Sequence, residues 1–248
     1  MSAPPYKEPE NLKARIKESY DAIAPEYNAW TIAHSPVRLE YLDRLIALLR
    51  PAPSDLASPD GPSPAPLRIL ELGCGAGLPV TGRLLQELAP VHVTGNDIST
   101  SQLDMARQSL GVHGEKVADG VTTKVDWVES DMMTLSFPDA TFDAVLGMYS
   151  VIHLPREEQA EIIKRIAQWL KPGTGYFLAN FAENPMPGIV MKNWLHEKGW
   201  MFWSGWGVDG TEAKLADAGL EKVISKVEPD SVDKSNFHWV VARKPAAT

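Results

Sequence analysis

The sequence is poor in the residues that would place it in several common protein classes. It has one cysteine, Cys74, in 248 residues, so neither an intrachain disulfide nor a cysteine-built zinc cluster is available. Its six histidines include no pair at a metal-binding spacing such as His-x-x-x-His, and no metal is expected. Lys and Arg number 24 against 32 Asp and Glu, for a net charge of −8. The cations are scattered, so no basic stripe argues for a nucleic-acid partner. No apolar run reaches the length of a membrane span, and the polar amino terminus has no signal-peptide core. A cytoplasmic protein with no membrane partner is expected.

What is present is apolar material, 44 % of residues, enough for one α/β domain over residues 1–248 to bury a full core. The chain is organised around Leu67-Arg-Ile-Leu-Glu-Leu-Gly-Cys-Gly-Ala-Gly77. Its apolar run reads as a buried parallel strand, which breaks into Gly73, Gly75 and Gly77 before a helical pattern beginning at Leu78. Strand, glycine turn and helix bring backbone against a nucleotide-like ligand, where a Cβ would obstruct both the turn and the approach. Glu71 needs a partner if that strand is buried, and Cys74 reads as a small packed residue rather than a nucleophile. Leu78 stands where a dinucleotide fingerprint has its third glycine. Val91–Asp97 is a second strand ending in an acid placed to accept hydrogen bonds from both hydroxyls of a ribose.

The stretch Glu71-Leu-Gly-Cys-Gly-Ala-Gly77 with Asp97 resembles the class I S-adenosylmethionine-dependent methyltransferases, and the order of later elements is similar over roughly 67–244. The resemblance implies an α/β, Rossmann-like fold: a seven-stranded, mostly parallel sheet with helices on both faces, a reversed last strand between the fifth and sixth, and added N-terminal helices. It implies S-adenosylmethionine as cofactor, over Gly73, Gly75 and Gly77 and with its ribose on Asp97. Glu71, Ile98, Gln102 and Met148 join the same binding set, and Asp131 with the backbone of Met132 takes the adenine. An ordinary turn role for Asp131 is the plain alternative.

Residues 1–11 read as a loose tail and 12–50 as a helical lid, with a helix from Leu12 and a second from about Val37 to Leu49. Tyr20-Asp-Ala-Ile-Ala-Pro-Glu-Tyr27 is similar to a lid element of the family, which implies Tyr20 or Tyr27 near the methionine end of the cofactor. Surface packing of Tyr20, Tyr27 and Trp30 is the competing reading. Residues 51–66, with six prolines, read as a surface linker. Within the core, 67–182, Ser99-Thr-Ser-Gln102 is a capping box for a helix through Leu110, and 111–121 reads as loop. Thr123–Asp131, Phe142–Ser150 and Gly175–Asn180 are the third to fifth strands, with a helix over 155–170 starting at Pro155. Residues 183–208 hold Trp194, Trp200, Phe202, Trp203 and Trp206 within thirteen positions. Asp209-Gly-Thr-Glu212 caps a helix ended by Gly219, and Val223–Val227 pairs with Phe237–Ala242 inside a final segment, 209–244.

Methyl transfer from a sulfonium asks the protein mainly to align the reactants and exclude water, so no obligatory catalytic motif is expected. His153, just past the switch-point strand, is a candidate general base; a structural histidine orienting the next helix is the alternative. The tryptophan segment suits a roof over an aromatic or polycyclic acceptor, with Trp30, Tyr149, His153, Trp203 and Trp206 on the acceptor side; gap filling or a dimer face would use the same rings. The function expected is methyl transfer to a small molecule by a monomer or homodimer. Against it stand a non-catalytic cofactor-binding protein of the same fold and an NAD(P)-dependent oxidoreductase. The missing third glycine, the reversed ending and the lack of a Tyr-x-x-x-Lys pair oppose the oxidoreductase.

Overall fold

The structure, a computed structural model, describes residues 7–50, 65–112, 114–118 and 121–247. Residues 1–6 of the expected tail and 51–64 of the expected linker lie outside the described residues.

The chain runs α1 (Leu12–Ala22), α2 (Ala24–Ala33), α3 (Pro36–Leu49), β1 (Leu67–Leu72), α4 (Val80–Glu87), β2 (Val91–Asp97) and α5 (Thr100–Leu110). It continues through β3 (Gly114–Ala118), β4 (Val121–Glu129), β5 (Ala144–Gly147), α6 (Arg156–Trp169) and β6 (Tyr176–Ala182). The last elements are β7 (Pro185–Lys192), β8 (Trp200–Trp206), α7 (Gly207–Asp217), β9 (Glu221–Pro229) and β10 (Asn236–Arg243). The main sheet has the order β3-β4-β2-β1-β5-β6-β10-β9. Its centre, β4-β2-β1-β5-β6, is parallel, and β10 lies antiparallel between β6 and β9. The reversed strand therefore sits where the resemblance implied. To the seven expected strands the fold adds β3, an antiparallel edge strand on β4, in a stretch that reads as loop because charge and glycine mask its pattern.

Strand periodicity explains the two core layers. Leu70 and Leu72 of β1 face one way, against Ile162, Ile163 and Ile166 of α6, while Ile69 faces the other, against α3 and α4. Phe177, Ala179 and Phe181 of β6 join the first layer and Leu178 the second. Ser99 caps α5 as expected, its hydroxyl accepting from the Gln102 amide at 3.1 Å.

Several boundaries differ from expectation. α4 begins at Val80, two residues after Leu78, and Pro155 is the N-cap of α6 rather than its first helical residue. β5 ends at Gly147, so Met148, Tyr149 and Ser150 leave the strand; Tyr149 takes φ 56. α7 starts at Gly207 rather than after Asp209. α3 is a core helix rather than part of a lid, because Tyr41, Leu42, Leu45 and Ile46 are buried against the sheet. The tryptophan segment folds as a two-stranded antiparallel sheet, β7–β8, docked on α1 by the cluster of Leu12, Ile16, Ile23, Met201 and Phe202. No helix among the described residues is long and apolar enough to cross a membrane.

Candidate active site

The site lies beyond the carboxyl ends of the parallel strands, where β1 and β5 adjoin and the direction of winding reverses. The glycine turn after β1 makes its floor. Gly75 has φ 55, and a Cβ built there meets only the Gln102 Oε1 at 3.6 Å, so the space above its backbone is open. Gly73 differs: a Cβ there falls 2.3 Å from the Ser150 Cβ, making this glycine a packing requirement between two loops.

Asp97, at the end of β2, is tied to that turn. Its Oδ2 accepts from the Gly75 amide at 2.8 Å and its Oδ1 from the Ser99 amide at 2.9 Å. Burial pushes its carboxyl up to about 6 against the pull of those amides. Glu71 finds its partner in Thr81, whose hydroxyl donates at 2.5 Å, and burial raises it to about 7.

Three adjoining cavities follow. The first, about 630 Å³ counting its open mouth, is lined by Tyr20, Tyr27, Gly73, Gly75, Asp97, Ile98, Gln102, Asp131, Met132, Tyr149 and His153. Most of the residues expected at the cofactor thus come together in one space. The second, about 370 Å³, shares Tyr27, Gly73 and Gly75 with it and adds Arg38, Glu71 and Met148. Gly77 lines neither: a Cβ there would fall 2.8 Å from Leu110 Cδ1, so it serves packing between the turn and α5. The third, about 900 Å³, is the aromatic cavity, with Trp30, Trp194, Trp203, Phe237, Met186 and Met191 in its wall. Tyr20, Tyr27, Tyr149 and His153 line both it and the first cavity.

Trp206 does not belong to the site. Its indole donates to the Arg156 carbonyl at 2.8 Å, and Arg156 and Lys214 lie over its ring, so it seals the α6–α7 side. Alternation explains this, because Trp203 and Trp206 are three residues apart on β8 and face opposite ways.

His153 is buried with both ring nitrogens engaged: Nδ1 lies 2.7 Å from the Phe202 carbonyl and Nε2 2.9 Å from the Tyr20 hydroxyl. A carbonyl only accepts, so Nδ1 carries the proton and Nε2 accepts from Tyr20. Burial lowers its pKa to about 4, so the ring is neutral at pH 7. Burial also raises the Tyr20 and Tyr149 phenols. Asp131 is less open than expected: Oδ1 accepts from the Met133 amide at 3.0 Å, and Lys13 pairs with the carboxylate at 3.2 Å and with Glu158 at 2.5 Å.

The site also contains residues that the sequence alone did not single out. Arg38 lies on the buried face of α3, over the Tyr149 ring at 4.6 Å, with its Nε unpartnered. A charged residue in register with Tyr41, Leu42 and Leu45 was its one sequence signal. Asn28 donates to Gln102 Oε1 at 3.0 Å, leaving the buried Gln102 Nε2 without a partner. The Ser150 and Tyr149 hydroxyls are likewise buried and unpartnered. Orphaned donors around an open glycine cradle fit a polar, nucleoside-sized ligand. Among the described residues, no cluster of His, Cys, Asp or Glu could hold a metal.

Residues 69–173 match a family described as a methyltransferase domain. A sterol 24-C-methyltransferase of Gibberella zeae is 35% identical over 107 residues, 43% of this chain and 26% of that protein. The 27-O-demethylrifamycin SV methyltransferase of Amycolatopsis mediterranei is 31% identical over 156 residues, 62% of this chain and 54% of its relative. The chain therefore spans from a quarter to about half the length of these two relatives. Among solved structures, the 1,6-didemethyltoxoflavin-N1-methyltransferase of Burkholderia thailandensis, bound to 1,6-didemethyltoxoflavin and S-adenosylhomocysteine, superposes with TM-score 0.65. That likeness covers 98% of this chain and 93% of the other at 19% identity, a match of fold.

Proposed function

We propose that the chain is a class I S-adenosylmethionine-dependent methyltransferase, a reading supported by the methyltransferase domain matched over residues 69–173 and by its relatives, and that it transfers a methyl group from S-adenosylmethionine to a small molecule held in the aromatic cavity. The observation that carries the reading is the shared wall: Tyr20, Tyr149 and His153 line both the glycine-floored cavity and the aromatic one, so two ligands would meet there.

When bound, the sulfonium supplies an electrophilic methyl group. The chain's residues hold and orient. Asp97, kept in place by the Gly75 and Ser99 amides, would accept from the ribose hydroxyls. Ile98, Met132 and Asp131 would enclose the adenine, and the orphaned Gln102 Nε2 and Ser150 hydroxyl supply donors nearby. Arg38 and Glu71, of opposite charge when ionised, suit the carboxylate and amino group of the methionine end. Tyr20, Tyr27 and Trp194 form an edge-to-face and tilted aromatic cluster that excludes water from the junction. His153 fixes the Tyr20 hydroxyl and so positions the wall.

The test is calorimetric titration with S-adenosylmethionine and with S-adenosylhomocysteine, with NAD as the competing ligand. Micromolar binding of the first two and none of NAD supports the reading; the reverse order overturns it. A radiolabelled methyl donor with a metabolite-library screen then separates an active enzyme from a binding protein.

A further inference from the structure

The aromatic cavity has an unusual charge balance. Among the described residues in its wall none is Lys or Arg, and the one charged group is Asp233, on the loop between β9 and β10. Tyr27, Trp30, Trp194 and Trp203 form one cluster of tilted and edge-to-face rings, with Tyr27–Trp194, Trp30–Trp194 and Trp194–Trp203 centroids 5.8, 5.5 and 5.7 Å apart. Ring faces carry the negative part of the aromatic quadrupole and attract cations. The Arg38 guanidinium, over the Tyr149 ring, lines the polar cavity instead. A second observation concerns proton removal. His153 is saturated by the Phe202 carbonyl and the Tyr20 hydroxyl, and its burial keeps it neutral. Among the described residues that both cavities share, Tyr20, Tyr27, Tyr149 and His153, none is a carboxylate or an amine.

From this geometry we propose that the acceptor is an uncharged amine-type nitrogen on a flat frame, whose methylated product is a cation held by the aromatic wall and Asp233. An alcohol or phenol must lose its proton to a base, and the anion formed would lie in a wall whose one charged group among the described residues is the Asp233 carboxylate. An amine needs no base and forms no anion. Its lone pair forms the bond to the methyl carbon, the carbon–sulfur bond breaks with its electron pair left on sulfur, and positive charge passes from sulfur to nitrogen. Any N–H proton stays on the cationic product until that product leaves the cavity. The cavity thus faces the charge where it arrives. This inference rests on the methyl-transfer reading above.

The test uses the full chain saturated with S-adenosylhomocysteine and three probes on one frame: 2-naphthylmethyl-trimethylammonium, 2-naphthalenemethanol and 2-naphthoate, titrated by calorimetry and tryptophan quenching. The cation should bind about tenfold tighter than the alcohol, and the carboxylate about tenfold weaker. Asp233→Asn, at an exposed position, should reduce the preference for the cation over the alcohol about threefold, and Trp203→Ala should reduce it further. Affinities within threefold of one another, tighter binding of naphthoate, or no binding of any probe would overturn the proposal. Failure to bind S-adenosylhomocysteine would instead bring down the methyl-transfer reading first.

Discussion

The two main cavities are built on opposite principles. The glycine-floored one is made of backbone: Gly75 contributes open space and an amide, and the Asp97 carboxylate is held by two amides at 2.8 and 2.9 Å. The aromatic one is made of side chains brought from α2, the β7–β8 sheet and the β9–β10 loop, with Trp194 touching Tyr20, Tyr27, Trp30 and Trp203. Backbone sites tolerate little change, because each group is placed by φ and ψ. A side-chain cavity can be reshaped one residue at a time.

The comparison breaks if the backbone cavity survives Gly75→Val. That change puts a branched side chain into the open cradle at φ 55, and donor binding should fall on the order of a hundredfold or more with circular dichroism unchanged. Gly73→Ala should instead lower the melting temperature, since its Cβ collides with Ser150. Next in size, Asp97→Ala removes charge-assisted hydrogen bonds worth about 1.5–3 kcal/mol each, and calorimetry should show donor affinity down about a hundredfold. Unchanged affinity in the folded variant would remove Asp97 from the site.

A pH experiment sharpens the contrast. Glu71 is raised from 4.5 to about 7, so the fold favours its protonated form. Its contribution is fully present below its unfolded pKa and is lost as pH rises towards 7. Buried His153, lowered to about 4, runs the other way: its contribution is present above 6.5 and lost as pH falls. Bulk stability mixes the two, so the difference between wild type and Glu71→Gln is the useful quantity. In urea melts the variant should gain on wild type by of order 3 kcal/mol between pH 4.5 and 8. A constant offset would show that Glu71 is not held neutral.

The smallest effects belong to the aromatic side. Trp203→Ala should leave donor affinity within about threefold, under 1 kcal/mol, while weakening ligands of the aromatic cavity. Trp206→Ala should spare both, with its cost confined to the packing of Arg156 and Lys214 and read as a small drop in melting temperature.

The same contrast decided what could be read in advance. Gly75 and Asp97, which the structure brings together at one cavity, were legible because a glycine turn and an acid ending a strand are written in adjacent residues. The reversed β10 was legible only through the family resemblance, which implies that placement for the last strand. Trp206 was misplaced because composition marks a segment as aromatic while strand alternation decides which rings face inward. Arg38 went unseen because its meaning comes from long-range packing of α3 under Tyr149. β3 escaped because an edge strand needs little apolar pattern.

One consequence remains in the wall formed by Tyr20 and His153. A partition owned by two chambers ties their equilibria together: whatever a ligand on one side does to the free energy of that wall is felt on the other. If filling the glycine-floored chamber tightens binding in the aromatic one by some factor, thermodynamic reciprocity requires the same factor in return. Tyr20→Phe, which unhooks the hydroxyl from His153 Nε2 while keeping the ring, should change the two affinities unequally when each ligand is measured alone. The coupling factor in that variant, whatever its size, must still agree when measured from either side.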